Sequence, residues 1–354
     1  MLKRLSFALA FLFMLPFTVY ANDISARSAI VIDAQTKTIL YEKNAYEQRS
    51  IASTTKIMTA LLAIESGRLD EKVKITADMI NVEGSSLGLK ENDELTLYDL
   101  VCGMMLTSGN DSANAVAVFL SGSIEKFAVL MNKRAEEIGM KNTYFVTPSG
   151  LDEGEHHSTA YDMALLTAQA ISIDTFCDIV SKQSAEITIG KNKTTVYNHN
   201  RLLSMDKDIF GVKTGFTEKA GRCLVSAKNY NGNQLICVTL CCPDDWNDHI
   251  SLYSECEKKY YEAKAENMRD ITIVGAEKDK VRCSFSKTYY TLSQIKVVEY
   301  YYPFVYAPIK KGDRVGTALV YYNGKLLERL PIEADEDVLY YGKQQFSTTS
   351  KVYG

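Results

Sequence analysis

β-Strand patterns stand at both ends of a long helical stretch in this 354-residue chain. Ser28–Asp33 and Thr38–Glu42 are apolar, β-branched runs joined by a short polar turn, which predicts a hairpin. Strand patterns return at Asp208–Lys213, Cys223–Ala227 and Leu235–Cys241. Strands that begin and end a helical region are typical of an α+β domain built on an antiparallel sheet.

The first helical pattern between these strands is the most constrained. Ser53–Ser66 is nearly all apolar and ends at Gly67. A helix that is apolar on every side must be buried, so we expect it in the core of the domain. Thr159-Ala160-Tyr161-Asp162 predicts a capping box at the start of a later helix. Further helices are predicted at Leu97–Leu106, Ser112–Leu120, Ile124–Ile138, Ala160–Ile173 and Trp246–Ala265.

The composition changes after about Met268, where short β-like runs replace helical periodicity. Asn323-Gly324 predicts a tight hairpin turn between the last two of these runs. We therefore predict a first domain over residues 22–267, a small all-β domain over 268–337 and a C-terminal tail over 338–354. The predicted strands of the second domain are Ile271–Val274, Val281–Phe285, Lys296–Tyr302, Val315–Tyr322 and Leu326–Leu330.

The first 21 residues have the pattern of a secretory signal peptide. Lys3 and Arg4 precede the apolar run Leu5–Tyr20, and Val19-Tyr20-Ala21 places small residues at the cleavage positions. The apolar run is about 15 residues long and is interrupted by Pro16, which is short for a membrane span. An uncleaved anchor is the alternative. Cleavage after Ala21 predicts an exported protein that acts outside the cytoplasm.

Charge and cysteine usage exclude several classes of protein. The formal net charge is −4 and no basic cluster occurs, so there is no electrostatic basis for nucleic-acid binding. The eight cysteines contain no C-x-x-C pair, which disfavours zinc, and no metal or cofactor is predicted. Because Cys237 lies in a strand-like run and Cys102 in a helix-like one, we expect most thiols to be buried small hydrophobes. One or two disulfides remain an alternative.

Three short motifs carry the candidate chemistry, and the first is Ser53-Thr54-Thr55-Lys56. At the start of a helix the Ser53 backbone N–H has no helical partner and lies at the positive end of the helix dipole. Lys56, three residues later, shares its face of the helix. Loss of hydration lowers a lysine pKa, and a neutral lysine accepts a serine hydroxyl proton. The structural alternative is a Ser N-cap followed by a lysine that reaches solvent.

The second motif, Ser108-Gly109-Asn110, lies between two predicted helices. A loop there presents both polar side chains to a cleft. Ser108 would relay a proton between Lys56 and a leaving amine, and Asn110 would hold a substrate amide. The structural alternative is a helix N-cap at Asn110 or Ser112.

The third motif, Lys213-Thr214-Gly215, ends a predicted strand. Gly215 allows a substrate backbone to approach closely. Lys213 and Thr214 supply a cation and a hydroxyl that suit a carboxylate. The backbone N–H of Phe216 would be a second oxyanion donor beside that of Ser53. The structural alternative is an exposed lysine where the strand turns.

No histidine-based triad is predicted, because none of the four histidines is near a Gly-x-Ser-x-Gly elbow. His157 precedes a capped helix and is interpreted as structural. Glu153 and Glu155 offer a hydrolytic base in the manner of a β-lactamase, but the Glu-x-x-x-Asn pattern is absent there.

In this order and context, the motifs resemble those of serine-type D-alanyl-D-alanine carboxypeptidases, the low-molecular-mass penicillin-binding proteins. The resemblance implies a penicillin-binding/β-lactamase-like domain, with an antiparallel sheet and a helical cluster, followed by a small β-sandwich domain. It covers nearly the whole mature chain, including the later β domain. The matching stretches are 52–60, 107–111, 148–152, 157–162 and 211–217.

The resemblance also implies roles for individual residues. Ser53 would be the nucleophile and Lys56 its base, with Ser108 and Asn110 assisting. Lys213 and Thr214 would bind the terminal carboxylate of a peptidoglycan pentapeptide stem, from which the last D-alanine is removed through an acyl-enzyme. β-Lactams would acylate Ser53. The alternatives are a D,D-endopeptidase of cross-linked peptidoglycan, a β-lactamase and a non-catalytic penicillin-binding protein.

Two departures from the family pattern remain. Many relatives end in an amphipathic membrane-surface helix, whereas Val338–Gly354 shows no basic amphipathic period, which argues against membrane attachment. Some relatives place an arginine near the substrate carboxylate, where this chain has His199 and, later, Asp245–Asn247. Whether Arg201 substitutes for it or Lys213 acts alone is open at this point.

Overall fold

The computed structural model describes residues 24–341, so the predicted signal peptide and residues 342–354 of the predicted tail lie outside the described part. The strands in chain order are β1 (Ser28–Asp33), β2 (Ile39–Lys43), β3 (Lys72–Lys74), β4 (Glu94–Thr96), β5 (Ser184–Ile189), β6 (Asn192–Tyr197), β7 (Ile209–Thr217), β8 (Gly221–Tyr230), β9 (Asn233–Leu240), β10 (Tyr261–Val274), β11 (Lys280–Thr291), β12 (Ile295–Tyr301), β13 (Phe304–Tyr306), β14 (Arg314–Tyr322) and β15 (Lys325–Ala334). The helices are α1 (Lys56–Glu65), α2 (Ala77–Ile80), α3 (Leu97–Leu106), α4 (Asn110–Ser121), α5 (Ile124–Ile138), α6 (Ala160–Ala170), α7 (Asp174–Val180), α8 (Leu202–Met205) and α9 (Asp245–Glu257).

The N-terminal domain, from β1 to α9, is built on a five-stranded antiparallel sheet in the order β2-β1-β9-β8-β7. Successive side chains of a strand point to opposite faces. In β1, Ile30 and Ile32 therefore pack against the helical cluster, while Ala29 and Val31 pack on the side of α9 with Tyr253. The predicted α+β class, with an antiparallel sheet and a hairpin at β1–β2, is confirmed.

The apolar helix is buried as predicted, but it starts later than the sequence pattern indicates. Every residue of α1 from Lys56 to Ala63 is buried. A 3₁₀ turn, Ala52–Thr55, precedes α1 and carries Ser53. The hydroxyls of Thr54 and Thr55 donate to the carbonyls of Ile51 and Ala52 at 2.6 and 2.8 Å. Such local side-chain bonds compete with α-helical ones and hold the tighter turn.

Two predicted helices have different ends in the structure. The helix predicted for Trp246–Ala265 stops at Glu257, because Tyr261 begins β10, which pairs with β11 along most of its length. The helix predicted for Ala160–Ile173 stops at Ala170, because Ile173 has extended backbone angles before α7 begins. Thr159 caps α6 as predicted, accepting the Asp162 N–H at 3.0 Å. The Asp162 carboxylate instead accepts from Asn142 and Thr143, so the predicted capping box is only half formed.

The prediction that the third motif ends its strand is wrong, because β7 continues through Gly215 to Thr217. Gly215 pairs with Cys223 and Phe216 with Arg222 of β8. The third motif therefore lies within a strand at the edge of the sheet, with its backbone extended rather than turned.

The β domain, from β10 to β15, is a six-stranded sheet in the order β12-β14-β15-β11-β10-β13 with its own core. The hairpin predicted at Asn323-Gly324 joins β14 to β15, and both turn residues have positive φ, +48° and +76°. β10 runs through residue 267, where the sequence predicts the domain boundary.

Within residues 24–341, no single helix combines the length and the apolar composition needed to cross a membrane. Two consecutive helix pairs reach that length together, α4–α5 and α6–α7, but they bend by 83° and 111°. All eight cysteines are free thiols, and six of them are buried, which confirms the expectation that most act as small hydrophobes.

Candidate active site

The first motif brings its serine and lysine into direct contact. Lys56 Nζ lies 2.8 Å from Ser53 Oγ, 2.7 Å from Asn110 Oδ1 and 2.7 Å from the Ser149 carbonyl oxygen. A neutral amine has two N–H donors and one lone pair. The amide and carbonyl oxygens can only accept, so in the neutral state they take both donors and leave the lone pair for the Ser53 hydroxyl proton. The contacts of Lys56 are those a base for Ser53 requires.

The electrostatic surroundings favour that neutral state. Lys56 is fully buried, and burial is the main cause that places its pKa well below the usual lysine value. The positive charge of Lys213 lowers the pKa further, whereas the negative charge of Asp111 opposes the shift. Because no carboxylate is bonded to Lys56, deprotonation of the buried amine requires little free energy.

The second motif sits where α3 ends and α4 begins. Ser108 is buried and has a positive φ of +64°, and Asn110 is the first residue of α4, with Gly109 in the N-cap position. Asn110 bridges two elements, because its Nδ2 donates to the Glu83 carbonyl at 2.7 Å while its Oδ1 accepts from Lys56. Asn110 is therefore not the N-cap of α4. Ser108 lies two residues before Asn110 in the chain, and its hydroxyl makes no hydrogen bond to Lys56.

Asp111, the next residue, was not singled out by sequence reasoning. Its buried carboxylate accepts from the backbone N–H groups of Leu87, Gly88 and Leu89 at 2.8, 3.0 and 3.1 Å, and from the Ser86 hydroxyl at 2.6 Å. These bonds hold the segment that carries the Glu83 carbonyl beside Asn110. The only signal in the sequence was an acidic residue in the first turn of a helix, which is common.

The third motif places a buried lysine beside the 3₁₀ turn that carries Ser53. Lys213 is buried, burial lowers its pKa to about 7, and its Nζ donates to the Thr214 carbonyl at 2.9 Å. A Cβ on Gly215 would lie 3.0 Å from the Ser53 backbone nitrogen, so glycine permits this close approach. Phe216 extends its side chain into solvent, with 66% of it exposed. The structure thus gathers all three motifs around Ser53.

The loop over residues 145–156 contacts Lys56 and the turn that carries Ser53. Sequence reasoning gave its Ser149 and His156 no role. Gly150 has φ +85°, and a Cβ there would lie 1.9 Å from the Ala52 carbonyl oxygen, so a side chain cannot be accommodated. His156 Nδ1 accepts from the Val146 N–H at 3.0 Å, and its Nε2 lies 2.8 Å from the Thr55 hydroxyl. Burial lowers the His156 pKa to about 4, which keeps the ring neutral. His156 therefore ties this loop to the 3₁₀ turn that carries Ser53.

The remaining candidates are placed as follows. His199 and Arg201 are both exposed, and partial loss of hydration together with the Lys213 charge lowers the His199 pKa. The Asp245 carboxylate accepts from Arg222 at 2.7 Å. Glu153 and Glu155 are exposed, and the His157 backbone pairs with Tyr144. Among residues 24–341, no group of three or more His, Cys, Asp or Glu side chains is arranged to hold a metal ion.

Comparison with known proteins places this site in a family. A family model described as D-alanyl-D-alanine carboxypeptidase matches residues 16–243, and one described as penicillin-binding protein 5, C-terminal domain, matches residues 258–339. The chain is 32% identical to D-alanyl-D-alanine carboxypeptidase DacF of Bacillus subtilis, over 88% of this chain and 86% of the relative. It is 33% identical to D-alanyl-D-alanine carboxypeptidase DacC of Escherichia coli, over 96% of this chain and 92% of the relative.

A solved structure shares both domains. The D-alanyl-D-alanine carboxypeptidase DacD from Francisella tularensis superposes with a TM-score of 0.63 at 26% identity, over 94% of this chain and 97% of that one. The resemblance drawn from the three motifs, the two-domain fold and the serine-type hydrolase activity are confirmed by these matches. The chain belongs to the D-alanyl-D-alanine carboxypeptidase family of serine peptidases.

Proposed function

We propose that Ser53 is the nucleophile with which this enzyme removes the terminal D-alanine from pentapeptide stems of peptidoglycan, and that Lys56 is its base. The observation that carries this proposal is the set of contacts around Lys56 Nζ. Two obligate acceptors, Asn110 Oδ1 and the Ser149 carbonyl, leave the lone pair of the neutral amine for the Ser53 hydroxyl at 2.8 Å.

Acylation follows from this geometry. The Lys56 amine takes the Ser53 proton as Oγ attacks the carbonyl carbon between the two D-alanines. The backbone N–H groups of Ser53 and Phe216 stabilise the oxyanion, and one such donor is worth about 2.7–4 kcal/mol in comparable sites. The closeness of Gly215 to the Ser53 nitrogen supports this pairing, because it brings the edge of β7 beside the 3₁₀ turn that carries Ser53.

The proton then has to reach the leaving amine. We assign Ser108 as the relay from the Lys56 ammonium to the D-alanine nitrogen, with Asn110 holding both Lys56 and the substrate amide. Once the C–N bond breaks, D-alanine leaves and Lys56 is neutral again. The same amine activates the water that hydrolyses the ester of Ser53 and releases the tetrapeptide. A β-lactam, whose amide mimics the scissile bond, would acylate Ser53 by the same route.

Recognition of the terminal carboxylate is assigned to Lys213 and Thr214. A buried ammonium beside a hydroxyl at a strand edge suits a carboxylate, and the arriving charge would offset the loss of hydration that lowers the Lys213 pKa. Arg201 is exposed and Arg222 is paired with Asp245, so Lys213 is favoured as the cation that acts.

The pH dependence of kcat/KM is expected to be bell-shaped, with a falling limb near pH 7. Activity requires Lys56 neutral and Lys213 charged, and the free-enzyme Lys213 pKa is about 7. In the Lys213→Arg variant the side chain stays charged at any working pH. The falling limb of the profile of that variant should therefore move to above about pH 9. Profiles from about pH 5 to pH 10 on a soluble peptide test this. An unmoved falling limb would mean that another group controls it.

The endopeptidase alternative is tested with the chain from residue 22 onward, the predicted exported form. We expect it to release D-alanine from a peptide ending in L-Lys-D-Ala-D-Ala and to leave purified cross-linked muropeptide dimers intact. Conversion of dimers to monomers without D-alanine release would replace the carboxypeptidase by an endopeptidase. Export itself is proposed from residues 1–21, which lie outside the described part of the chain.

A further inference from the structure

The β domain carries an exposed aromatic strip. In the segment Tyr300–Tyr306, residues Tyr300, Tyr302, Phe304 and Tyr306 are 58%, 49%, 46% and 67% exposed. The alternating residues Tyr301 and Val305 pack against the core of the domain. Within β12 and within β13 this is the alternation of a strand, whereas Tyr302 and the exposed Pro303 lie in the bend that joins the two strands. Apart from Pro303, each exposed residue of the segment is aromatic.

The aromatic strip lies far from the N-terminal domain. β12 starts beside that domain, since Ile295 pairs with Tyr322, and Tyr322 lines a cavity together with Gln35. The chain then runs away from it, and β13 pairs with the last residues of β10. The 14 residues of β10 that separate this end from the N-terminal domain extend over roughly 40 Å. A partner on the strip therefore leaves Ser53 accessible.

Neighbouring apolar side chains enlarge the strip into a patch. The Phe304 and Tyr306 rings meet edge to face at a centroid distance of 5.4 Å, and Tyr306 pairs with the exposed Val274. The exposed ring of Tyr340 covers Gly275, where a Cβ would lie 3.2 Å from it. Contiguous exposed apolar surface of this kind marks an interaction site in soluble proteins.

The charged groups around the strip are of both signs, and no cluster of cations lies among them. Arg269 stacks on the Tyr301 ring at 4.6 Å, Glu299 accepts from Asn267 at 2.9 and 3.0 Å, and Lys278 pairs with Glu336 at 2.7 Å. Binding to an anionic bilayer by an aromatic surface relies on Lys and Arg beside the rings. A surface of rings with balanced charges instead complements an uncharged polymer.

We propose that the aromatic strip binds the glycan strands of peptidoglycan. The face of an aromatic ring is electronegative and attracts the weakly positive C–H groups of a sugar ring, while tyrosine hydroxyls bond to sugar hydroxyls. The Phe304 and Tyr306 positions, about 6.6 Å apart along β13, together with the exposed rings of Tyr300 and Tyr302, offer several platforms to a linear, repeating polymer. The proposal rests on the proposed function, because the stem peptides are carried on such strands.

Binding of this kind would favour polymeric over soluble substrate. An enzyme held on a glycan strand meets the stem peptides of that strand at a raised effective concentration. The rate of turnover of a free peptide is not increased, because the strip does not reach the catalytic cleft. The β domain would then act as a wall-binding module for the N-terminal domain.

The test combines Tyr302→Ser, Phe304→Ser and Tyr306→Ser in one chain, with Tyr144→Ser plus Val129→Ser as a control that removes exposed apolar groups from the N-terminal domain. Co-sedimentation with beads that carry glycan strands stripped of stem peptides should weaken about tenfold or more in the triple variant only. Its kcat/KM on a soluble peptide should stay within about twofold of wild type, while turnover of intact peptidoglycan falls. Phe304→Trp with Tyr306→Trp should keep glycan binding, since the rings are retained.

Equal sedimentation of wild type and triple variant would overturn the proposal. So would binding to phosphatidylglycerol vesicles without binding to the stripped glycan, which would make the strip a membrane surface. Failure of the proposed function is seen separately, as absence of turnover of the soluble peptide by wild type.

Discussion

Replacing Ser53 by alanine is expected to lower kcat at least about 10⁴-fold and to abolish covalent labelling by a fluorescent penicillin. The serine oxygen is the only atom of the side chain that reacts, and Lys56 would retain its bonds to Asn110 and Ser149. Ser53 is the one half-buried residue of an otherwise buried 3₁₀ turn, and Ser53→Ala removes only its hydroxyl oxygen, so the apolar packing of the turn and of α1 stays intact. D-alanine release and penicillin labelling measure both effects.

Ser50→Ala is the matched control. Ser50 lies three residues before Ser53 and enters the same turn, but its hydroxyl is outside the group around Lys56. We expect its D-alanine release and labelling to match wild type. Penicillin labelling that persists in Ser53→Ala would show that another residue is acylated and would overturn the assignment of the nucleophile.

The parts of the site that could be predicted are those set by local geometry. A serine and a lysine three residues apart share a helical face, and the structure brings them to 2.8 Å even though the first of them lies in a 3₁₀ turn. The order of the three motifs indicated that they come together in the fold. The strand order of the sheet explains how the third motif reaches Ser53. β7 is an edge strand, so its Gly215 can lie against the Ser53 nitrogen.

The missed contacts come from atoms that have no signature in a sequence. The Ser149 carbonyl that holds Lys56 is a backbone group, and any residue type provides one. The support given by His156 depends on a fold that brings residues 55 and 156 together. In the same way, residues after Glu257 look helical locally, but long-range pairing with β11 makes them a strand. Local propensity is a weak guide where distant residues decide the outcome.

Lys56→Ala is expected to lower kcat by about 10³-fold or more, while the Ser53 hydroxyl remains in place. Without the amine no group bonded to Ser53 can take its proton, and a serine hydroxyl is a poor nucleophile in its protonated state. Truncation leaves a space next to Asn110 Oδ1 and the Ser149 carbonyl, which are then unpaired. Added ethylamine should fill that space and restore part of the D-alanine release, rising with its neutral fraction up to about pH 7 and levelling off above it, where Lys213 loses its charge.

Lys56→Arg separates the two possible roles of Lys56, positive charge and proton acceptance. Arginine keeps the charge but has no lone pair to offer at any working pH, so its activity should be as low as that of Lys56→Ala. Lys74→Ala, at an exposed lysine of β3, should behave as wild type. If Lys56→Arg retained more than about a tenth of the wild-type kcat, Lys56 would act through its charge, and the argument from its lone pair would fail. If both variants are inactive and ethylamine restores activity only to Lys56→Ala, Lys56 is the base. Such rescue requires a neutral nitrogen at the position of Nζ, which lies 2.8 Å from Ser53 Oγ.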